Sequence, residues 1–417
     1  MMMGRLRHIV LALSVVSLVM ASCRKEEVPY EGEYSSVAVY YALGFNNLSS
    51  NLKGNFNDLV NGWLPPVSSD KALLAFCHNT AEPSNYVKSN SPVLVRLYTR
   101  DGATCVDTLK TYPADMVSAS PSTLSEVLSD VREMFPSKGY GMVFSSHATG
   151  WIPSGYRVNS ESSVWAVDPQ WAVEQPDGEY PLTKSIGAQY YRLPGSATTY
   201  AYEMDVRDFV DAVPMKLDYV VMDACLLGGV EVAWDFKDVC DRIVFSPTEV
   251  LAQGLIYSTM AQRLLRGGSA DLQGVCRDYF SYYLAQSGSM QSATISLVDC
   301  SALEELAEVY AGIVESCRAG FDSVDRGDVQ AYFYDSKSWY YDLRDAAAHA
   351  GANNTQLDLL DEVLGKVVLY HDETPYFFKL PLDRCCGLST YLPDPSRARL
   401  NEYYRNLSWN KAVGLLK

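Results

Sequence analysis

The sequence lacks the residue patterns that bind zinc or build a disulfide framework. None of its ten cysteines forms a Cys-x-x-Cys pair, and no His-Glu-x-x-His motif is present. A structural or catalytic zinc site is therefore not expected. Apart from Cys23, nine cysteines are scattered along the chain, and an odd, unpatterned set does not indicate paired disulfides. We expect most of them to be small buried apolar residues.

Positive charge is scarce. The 417 residues include 34 Lys and Arg against 50 Asp and Glu, a formal net charge of −16. An acidic surface argues against nucleic acid as a partner and permits a basic peptide as substrate. With 48% hydrophobic residues, the chain is long enough for one large domain or two medium, closely packed lobes, and the sequence leaves both open.

The apolar run near the N-terminus is short. Residues 9–20 follow a basic stretch and span about a dozen positions, which is too few to cross a membrane and typical of a signal peptide. The ending Ala21-Ser22-Cys23 resembles a bacterial lipoprotein signal, in which the cysteine becomes the lipidated first residue. We therefore expect a signal peptide over 1–22, lipidation at Cys23, a polar tether over 23–35 and a lipid-anchored location in the bacterial cell envelope, at the outer membrane or the cell surface. The alternative is an ordinary cleaved signal in which Cys23 is incidental.

Short apolar runs alternate with helical patterns from residue 37 to residue 246. This alternation predicts βαβ units and an α/β fold with a mainly parallel central sheet. The segment 151–200 is rich in Gly, Pro, Ser and aromatic residues, which favours a surface insertion with a short hairpin. Helical patterns dominate after residue 257. Strands are predicted over 37–43, 71–77, 92–98, 105–109, 140–145, 217–222, 242–246, 293–298 and 388–392.

One thiol stands at a position where ligands bind in such sheets. Cys225 follows the predicted strand 217–222, at the carboxyl end of the strand. A helical pattern follows, so the sequence predicts Cys225 at the opening of a helix, whose free N–H groups would favour the thiolate.

A reactive thiol needs a base, and histidine is rare. Outside the signal peptide the chain has four histidines: His78, His147, His349 and His371. His349 lies in an Ala-rich helix and is predicted to pack, whereas His371 lies in an acidic segment predicted to be a solvated loop. His78 ends the second predicted strand and could reach the same sheet edge. His147 ends the strand that precedes the Cys225 strand, and small residues follow it, so nearby N–H groups could hold an oxyanion.

The chain resembles the clostripain family of cysteine peptidases, in the clan of caspases, gingipains and legumain. The similarity covers most of the chain after residue 36. It is carried by the segments 37–52 (VAVYYALGFNNLSSNL), 146–151 (SHATGW), 222–233 (MDACLLGGVEVA), 246–249 (SPTE), 254–257 (GLIY) and 387–393 (GLSTYLP).

The resemblance implies a caspase-like αβα sandwich that hydrolyses peptide bonds, after Arg or Lys. It implies Cys225 as nucleophile, His147 as general acid and base, and an oxyanion held by the N–H groups near Ala148 and of Cys225. The residue after the histidine is commonly Gly in this clan, so Ala148 is a departure. Asp223 matches a family acid at the specificity pocket, and its alternative role is a helix N-terminal acid. Glu249 is the nearest candidate for a second pocket acid, or else it caps a loop.

The resemblance also implies a peptidase core over 36–300 with the insertion 151–200, followed by a C-terminal extension of helices and a strand over 301–417. No cofactor is required for this chemistry. Calcium is a candidate ligand because some family members bind it, with Asp168, Asp177 and Glu179 as candidate ligands or, alternatively, solvated loop acids. Expected partners are a protein or peptide substrate and the membrane through the lipid anchor. The alternative function is a catalytically silent surface lipoprotein that binds peptide or glycan.

Overall fold

The computed structural model describes residues 27–82, 85–87, 90–154, 156, 172–175, 186–192, 199–333 and 339–417. Its strands are β1 Ser36–Gly44, β2 Lys71–Asn79, β3 Val93–Arg100, β4 Ala103–Thr111, β5 Tyr140–Ser145, β6 Ala172–Gln175, β7 Ile186–Arg192, β8 Thr199–Met204, β9 Leu217–Asp223, β10 Cys240–Phe245, β11 Thr294–Asp299, β12 Tyr341–Asp342, β13 Val368–Glu373, β14 Tyr376–Phe377, β15 Leu380–Pro381 and β16 Ser389–Thr390.

The α-helices of the described residues lie mostly in the second half of the chain. They are α1 Ser49–Asn61, α2 Pro121–Met134, α3 Val206–Ala212, α4 Val230–Phe236, α5 Tyr257–Leu265, α6 Leu272–Leu284, α7 Leu303–Ser316, α8 Arg318–Ser323, α9 Leu343–His349, α10 Asn354–Val367, α11 Ala398–Asn406 and α12 Ser408–Val413. Short 3₁₀ helices cover Gly288–Met290 and Cys300–Ala302.

In the described part of the chain, nine strands form a central sheet in the order β13-β11-β10-β9-β5-β1-β2-β3-β4. The strands from β10 to β2 run parallel. Antiparallel strands extend both edges, β3 and β4 on one side and β11 and β13 on the other. The predicted α/β class with a mainly parallel sheet is confirmed.

Helices cover both faces of the parallel part of this sheet, which explains why its central strands β1, β5 and β9 are almost continuously apolar. Successive side chains of β1 point to opposite faces, so that Val37, Val39 and Tyr41 enter one core. Ala38 and Tyr40 enter the other core. The helices α1, α5 and α6 supply the second core, and α2, α3, α4 and α7 supply the first. The architecture is therefore an αβα sandwich.

Several predicted boundaries need correction. The strand predicted over 140–145 is confirmed as β5, whereas the strand predicted over 105–109 is longer in the structure, where β4 covers Ala103–Thr111. The segment containing His371 is not a solvated loop, because it forms the edge strand β13 of the central sheet. The sequence pattern did not predict this strand, because an edge strand with one exposed face carries polar residues and lacks a continuous apolar run.

Between β5 and α3, the strands β6, β7 and β8 form a small antiparallel sheet in the order β6-β8-β7, and β8 extends beyond residue 200, the predicted end of the insertion. The predicted hairpin is thus present as the pair β7–β8. The strand β7 of this sheet also contacts the main body, for example where Ile186 pairs with Ala148 in an isolated bridge. Within the described residues, we find no helix that combines the length and apolar composition needed to cross a bilayer.

Candidate active site

His147 and Cys225 lie beyond the same edge of the central sheet. The parallel strands β5 and β9 are in register at Ser145 and Asp223, which are the last residues of the two strands. His147 and Cys225, the two predicted catalytic residues, each lie two positions after one member of this pair. The carboxyl ends of adjacent parallel strands therefore bring the two loops side by side, although 78 residues separate Ser145 from Asp223.

The loop of Cys225 is held against the segment that follows β10. The Leu226 N–H donates to the Thr248 carbonyl at 2.9 Å, and Leu226 itself has a left-handed backbone (φ 59°). The half-buried Cys225 Sγ accepts the Val250 N–H at 3.4 Å and donates to the Val250 carbonyl at 3.6 Å. An N–H aimed at sulfur stabilises developing thiolate charge.

The predicted placement of Cys225 at a helix opening is wrong. The helix α4 begins only at Val230, capped by Gly229, and residues 224–229 form a loop. The chain cannot turn into a helix at once, because Leu226 adopts the left-handed region. Val250, rather than a helix terminus, supplies the N–H group at the thiol.

The half-buried His147 makes a short contact with the turn after β1. Its Nε2 lies 2.5 Å from the Asn47 Oδ1. Its ring is stacked nearly parallel to the Tyr190 ring, with centroids 6.2 Å apart and planes 10° apart. Its carbonyl accepts the Gly187 N–H at 2.9 Å. The imidazole is thus contacted by two other segments of the chain.

The other three histidines are engaged elsewhere. His78 is fully buried, its Nδ1 lies 2.7 Å from the Ser118 Oγ, and burial lowers its pKa to about 4. His349 contacts the Asp345 carbonyl at 3.0 Å near the end of α9. The pKa of His371 is raised, chiefly by its hydrogen bond with Glu373. His147 is the candidate that follows β5, the strand paired with β9, and β9 leads to Cys225.

Ala148 is buried behind His147 and pairs with Ile186. The left-handed backbone position of this loop falls on Gly150 (φ 63°), where a Cβ would lie 2.4 Å from the Leu226 carbonyl oxygen. The two loops are therefore in close contact, and glycine is required at 150 rather than at 148.

Asp223 is buried beneath the thiol loop. Its Oδ2 accepts hydrogen bonds from the Ser145 hydroxyl at 3.0 Å and from the Tyr257 hydroxyl at 2.7 Å. Burial raises its pKa to about 6, and these hydrogen bonds oppose the increase. The alternative of a helix N-terminal acid is wrong, since no helix begins near Asp223.

Glu249 precedes Val250 and so lies beside the thiol loop. Burial raises its pKa to about 7. Burial also raises the pKa of Tyr340, and the charges of Glu231, Glu249 and Cys225 add to the effect. The Tyr340 hydroxyl donates to the Thr149 carbonyl in the His147 loop. Glu249 and Tyr340 therefore lie within electrostatic range of the site.

Sequence reasoning missed Asn47, Val250 and Tyr340. The pair Asn46-Asn47 stood in a segment that carried the family resemblance, which was the available signal for Asn47. Val250 and Tyr340 carry no such signal, because an apolar residue and a tyrosine are common core residues. Cys23, Asp168, Asp177 and Glu179 lie outside the described residues. Within those that are described, no group of three or more His, Cys, Asp or Glu could hold a metal ion.

A thiol and an imidazole beyond one edge of an αβα sandwich are the arrangement of a cysteine hydrolase. The model of the clostripain family (Peptidase_C11) matches residues 198–408. The chain belongs to the clostripain family and is a cysteine peptidase. No curated protein matches the sequence.

Solved structures share the fold over nearly the whole chain. An inactive zymogen C11 protease from Parabacteroides distasonis is 24% identical with a TM-score of 0.72, covering 92% of this chain and 99% of its own. A secreted C11 cysteine protease from Bacteroides thetaiotaomicron, solved with an irreversible peptide inhibitor, is 20% identical with a TM-score of 0.71, covering 91% and 99%. The Bacteroides thetaiotaomicron protease iotapain is 24% identical with a TM-score of 0.70, covering 93% and 100%. At these identities the similarity establishes the caspase-like fold.

Proposed function

We propose that the protein is a cell-envelope cysteine endopeptidase that uses Cys225 and His147 to cleave peptide bonds after Arg or Lys. The observation that carries this proposal is the register of the parallel strands β5 and β9, which pairs Ser145 with Asp223. Because His147 and Cys225 follow these residues by two positions each, both lie at the carboxyl ends of neighbouring strands. A silent binding protein needs neither a thiol nor an imidazole there.

The reaction proceeds through an acyl-enzyme. His147 takes the proton from the Cys225 Sγ, and the thiolate attacks the carbonyl carbon of the scissile peptide bond. The N–H groups near Ala148 and of Cys225 hold the oxyanion. The C–N bond then breaks, and His147 returns its proton to the leaving amine. A water molecule, deprotonated by His147, hydrolyses the thioester and regenerates the thiol.

Two carboxyl groups provide the charge for a basic substrate residue. Asp223 lies two residues before the nucleophile, and Glu249 adjoins Val250, whose backbone contacts the sulfur. A carboxylate pairs with Arg or Lys through charge-assisted hydrogen bonds. Burial raises the pKa of both acids, so each is partly protonated near neutral pH in the free enzyme. A bound cation would favour the charged form of each acid.

The location follows from the N-terminal sequence. Lipidation of Cys23 and the polar tether over 23–35 would hold the catalytic body outside the inner membrane, at the outer membrane or cell surface. The description of the Bacteroides thetaiotaomicron protease as secreted supports export of this chain as well. Calcium is a proposed ligand of the insertion, through Asp168, Asp177 and Glu179, and is not part of the chemistry.

The test is cleavage of a fluorogenic peptide library that varies the residue before the scissile bond, with calcium and with a chelator. Wild-type protein should prefer Arg and Lys, and Cys225→Ala should abolish turnover. Cys105→Ala is the matched control, because Cys105 is a half-buried cysteine on the edge strand β4. Failure of the wild-type protein to cleave any library member, combined with measurable peptide or glycan binding, would favour the silent surface lipoprotein.

A further inference from the structure

The two nitrogens of His147 are not equivalent. Its Nε2 lies 2.5 Å from the Asn47 Oδ1, a distance at the short end of hydrogen bonds in proteins. An amide oxygen only accepts, so this contact requires the hydrogen on Nε2. In the neutral imidazole the lone pair is then on Nδ1, so Nδ1 is the nitrogen that can accept the thiol proton.

The turn that carries Asn47 is built to hold it in place. The neighbouring Asn46 is buried, and its Nδ2 donates to the carbonyls of Leu43 at 2.8 Å and of Ala188 at 2.7 Å. Its Oδ1 accepts the Leu48 N–H at 2.8 Å. Asn46 thus fixes the backbone on both sides of Asn47, whose own side chain is exposed and turned to His147.

The strand β7 joins this turn to the His147 loop. The Gly187 N–H donates to the His147 carbonyl at 2.9 Å, and the Tyr190 N–H donates to the Phe45 carbonyl at 2.8 Å. The Tyr190 ring also stacks on the imidazole. One strand of the insertion therefore bonds to the backbone on both sides of the Asn47–His147 contact.

We infer that Asn47 is a positioning residue for the peptidase reaction, which fixes the tautomer of His147, and that β7 holds the two residues in register. The inference rests on the proposed function in which His147 is the base. When Nδ1 takes the thiol proton, the imidazolium keeps its Nε2–H bond to the amide oxygen. Asn47 acts through His147 and does not touch substrate.

The inference separates the effects of two substitutions. Asn47→Ala removes the acceptor, so the imidazole can rotate and populate the other tautomer. The loss should be about 10- to 100-fold in kcat, as for other groups that orient a functional imidazole, with KM changed less than about threefold. Asn47→Asp keeps an acceptor and adds negative charge, so kcat should recover. The limb of the pH–rate profile that reports the titration of the imidazole should move to higher pH, because the added charge stabilises the imidazolium.

Three measurements on the full chain test this. The first is the pH profile of kcat and kcat/KM for both variants, with Asn57→Ala, an exposed asparagine on α1, as matched control. The second is the rate at which iodoacetamide alkylates Cys225 as a function of pH, which reports the thiolate without peptide turnover. The third is the nitrogen-15 NMR spectrum of the histidines, with His147→Gln for assignment, which identifies the protonated nitrogen. Thermal unfolding confirms that each variant is folded.

The expected result is a protonated Nε2 in wild type, mixed tautomers in Asn47→Ala and restored kinetics in Asn47→Asp. Unchanged tautomer and alkylation profiles in Asn47→Ala would overturn the inference, as would an Asn47→Asp pH profile identical to that of Asn47→Ala. A wild-type protein that shows the Nε2 tautomer and pH-dependent alkylation but cleaves no peptide would contradict the proposed function, while the effect of Asn47 on the tautomer of His147 would still be supported.

Discussion

The Ser145 hydroxyl donates to the Asp223 carboxylate at 3.0 Å, between the last residues of two adjacent parallel strands. Each of these residues stands two positions before a predicted catalytic side chain. The contact therefore ties the base of the His147 loop to the base of the Cys225 loop. Tyr257, at the start of α5, donates a hydrogen bond to the same carboxylate oxygen. This bond connects the segment after β10 to the ends of β5 and β9.

We expect Asp223→Asn to change specificity more than it changes the fold. If Asp223 contributes to recognition of the basic residue, kcat/KM for Arg peptides should fall by about 10- to 100-fold, the cost of about one charged hydrogen bond, with little change for neutral peptides. The control is Asp218→Asn, an exposed carboxyl on the same strand. Equal losses for basic and neutral peptides would mean that Asp223 only supports the loops.

Asp223 should also make stability depend on pH. Its pKa in the folded protein is about 6, above the ordinary 3.8, so the folded state binds the proton more tightly than the unfolded chain. The contribution of this proton to the free energy of unfolding is on the order of 3 kcal/mol. It is fully present below about pH 4 and is lost as the pH rises through about 6. Urea unfolding of wild type and Asp223→Asn between pH 4 and 8 measures it. Parallel curves for the two proteins would contradict the expectation.

The preference for a basic residue should increase with pH. Burial raises the pKa of Asp223 to about 6 and of Glu249 to about 7, so both proposed pocket acids gain charge between pH 5 and 8. The ratio of kcat/KM for an Arg peptide to that for its uncharged citrulline analogue should rise over this interval. Glu249→Gln should remove the part of the rise centred near pH 7. A ratio that does not vary with pH would rule out both acids as the specificity charge.

Gly228→Ala should damage the thiol loop. A Cβ at this position would lie 2.4 Å from the Pro247 nitrogen and 2.6 Å from the Ser246 carbonyl carbon, which are backbone atoms that cannot move independently. We expect a loss of about 1–3 kcal/mol in the free energy of unfolding and at least about tenfold in kcat. Gly365→Ala on α10 meets no atom within 4 Å and should instead stabilise the protein by about 0.5–1 kcal/mol. Wild-type kinetics in Gly228→Ala would contradict the packing argument.

Cys23→Ser should release the protein from the membrane. If Cys23 carries the lipid, wild-type cells labelled with a fatty acid should incorporate it into this chain, and the variant should appear in the soluble fraction without label. Mass spectrometry of the mature N-terminus is the second measurement. A mature chain that begins at another residue and carries no lipid would establish the ordinary cleaved signal instead.

Much of the fold could be predicted from sequence because parallel strands buried on both faces appear as continuous apolar runs. The strand over 140–145 and the class of the sheet are confirmed for that reason. The strand β13 was missed because its outer face is polar, and the helix expected at Cys225 is wrong because a left-handed Leu226 delays it to Val230.

The sequence alone determined the family and the two strand-end positions of His147 and Cys225, since motif and apolar pattern are local properties of the chain. Only the tertiary structure decided which groups contact those side chains. Asn47 stands 100 residues from His147, and Val250 stands 25 residues from Cys225. Such contacts depend on strand order and register, and the burial that shifts the pKa of Asp223 exists only once the layers have packed.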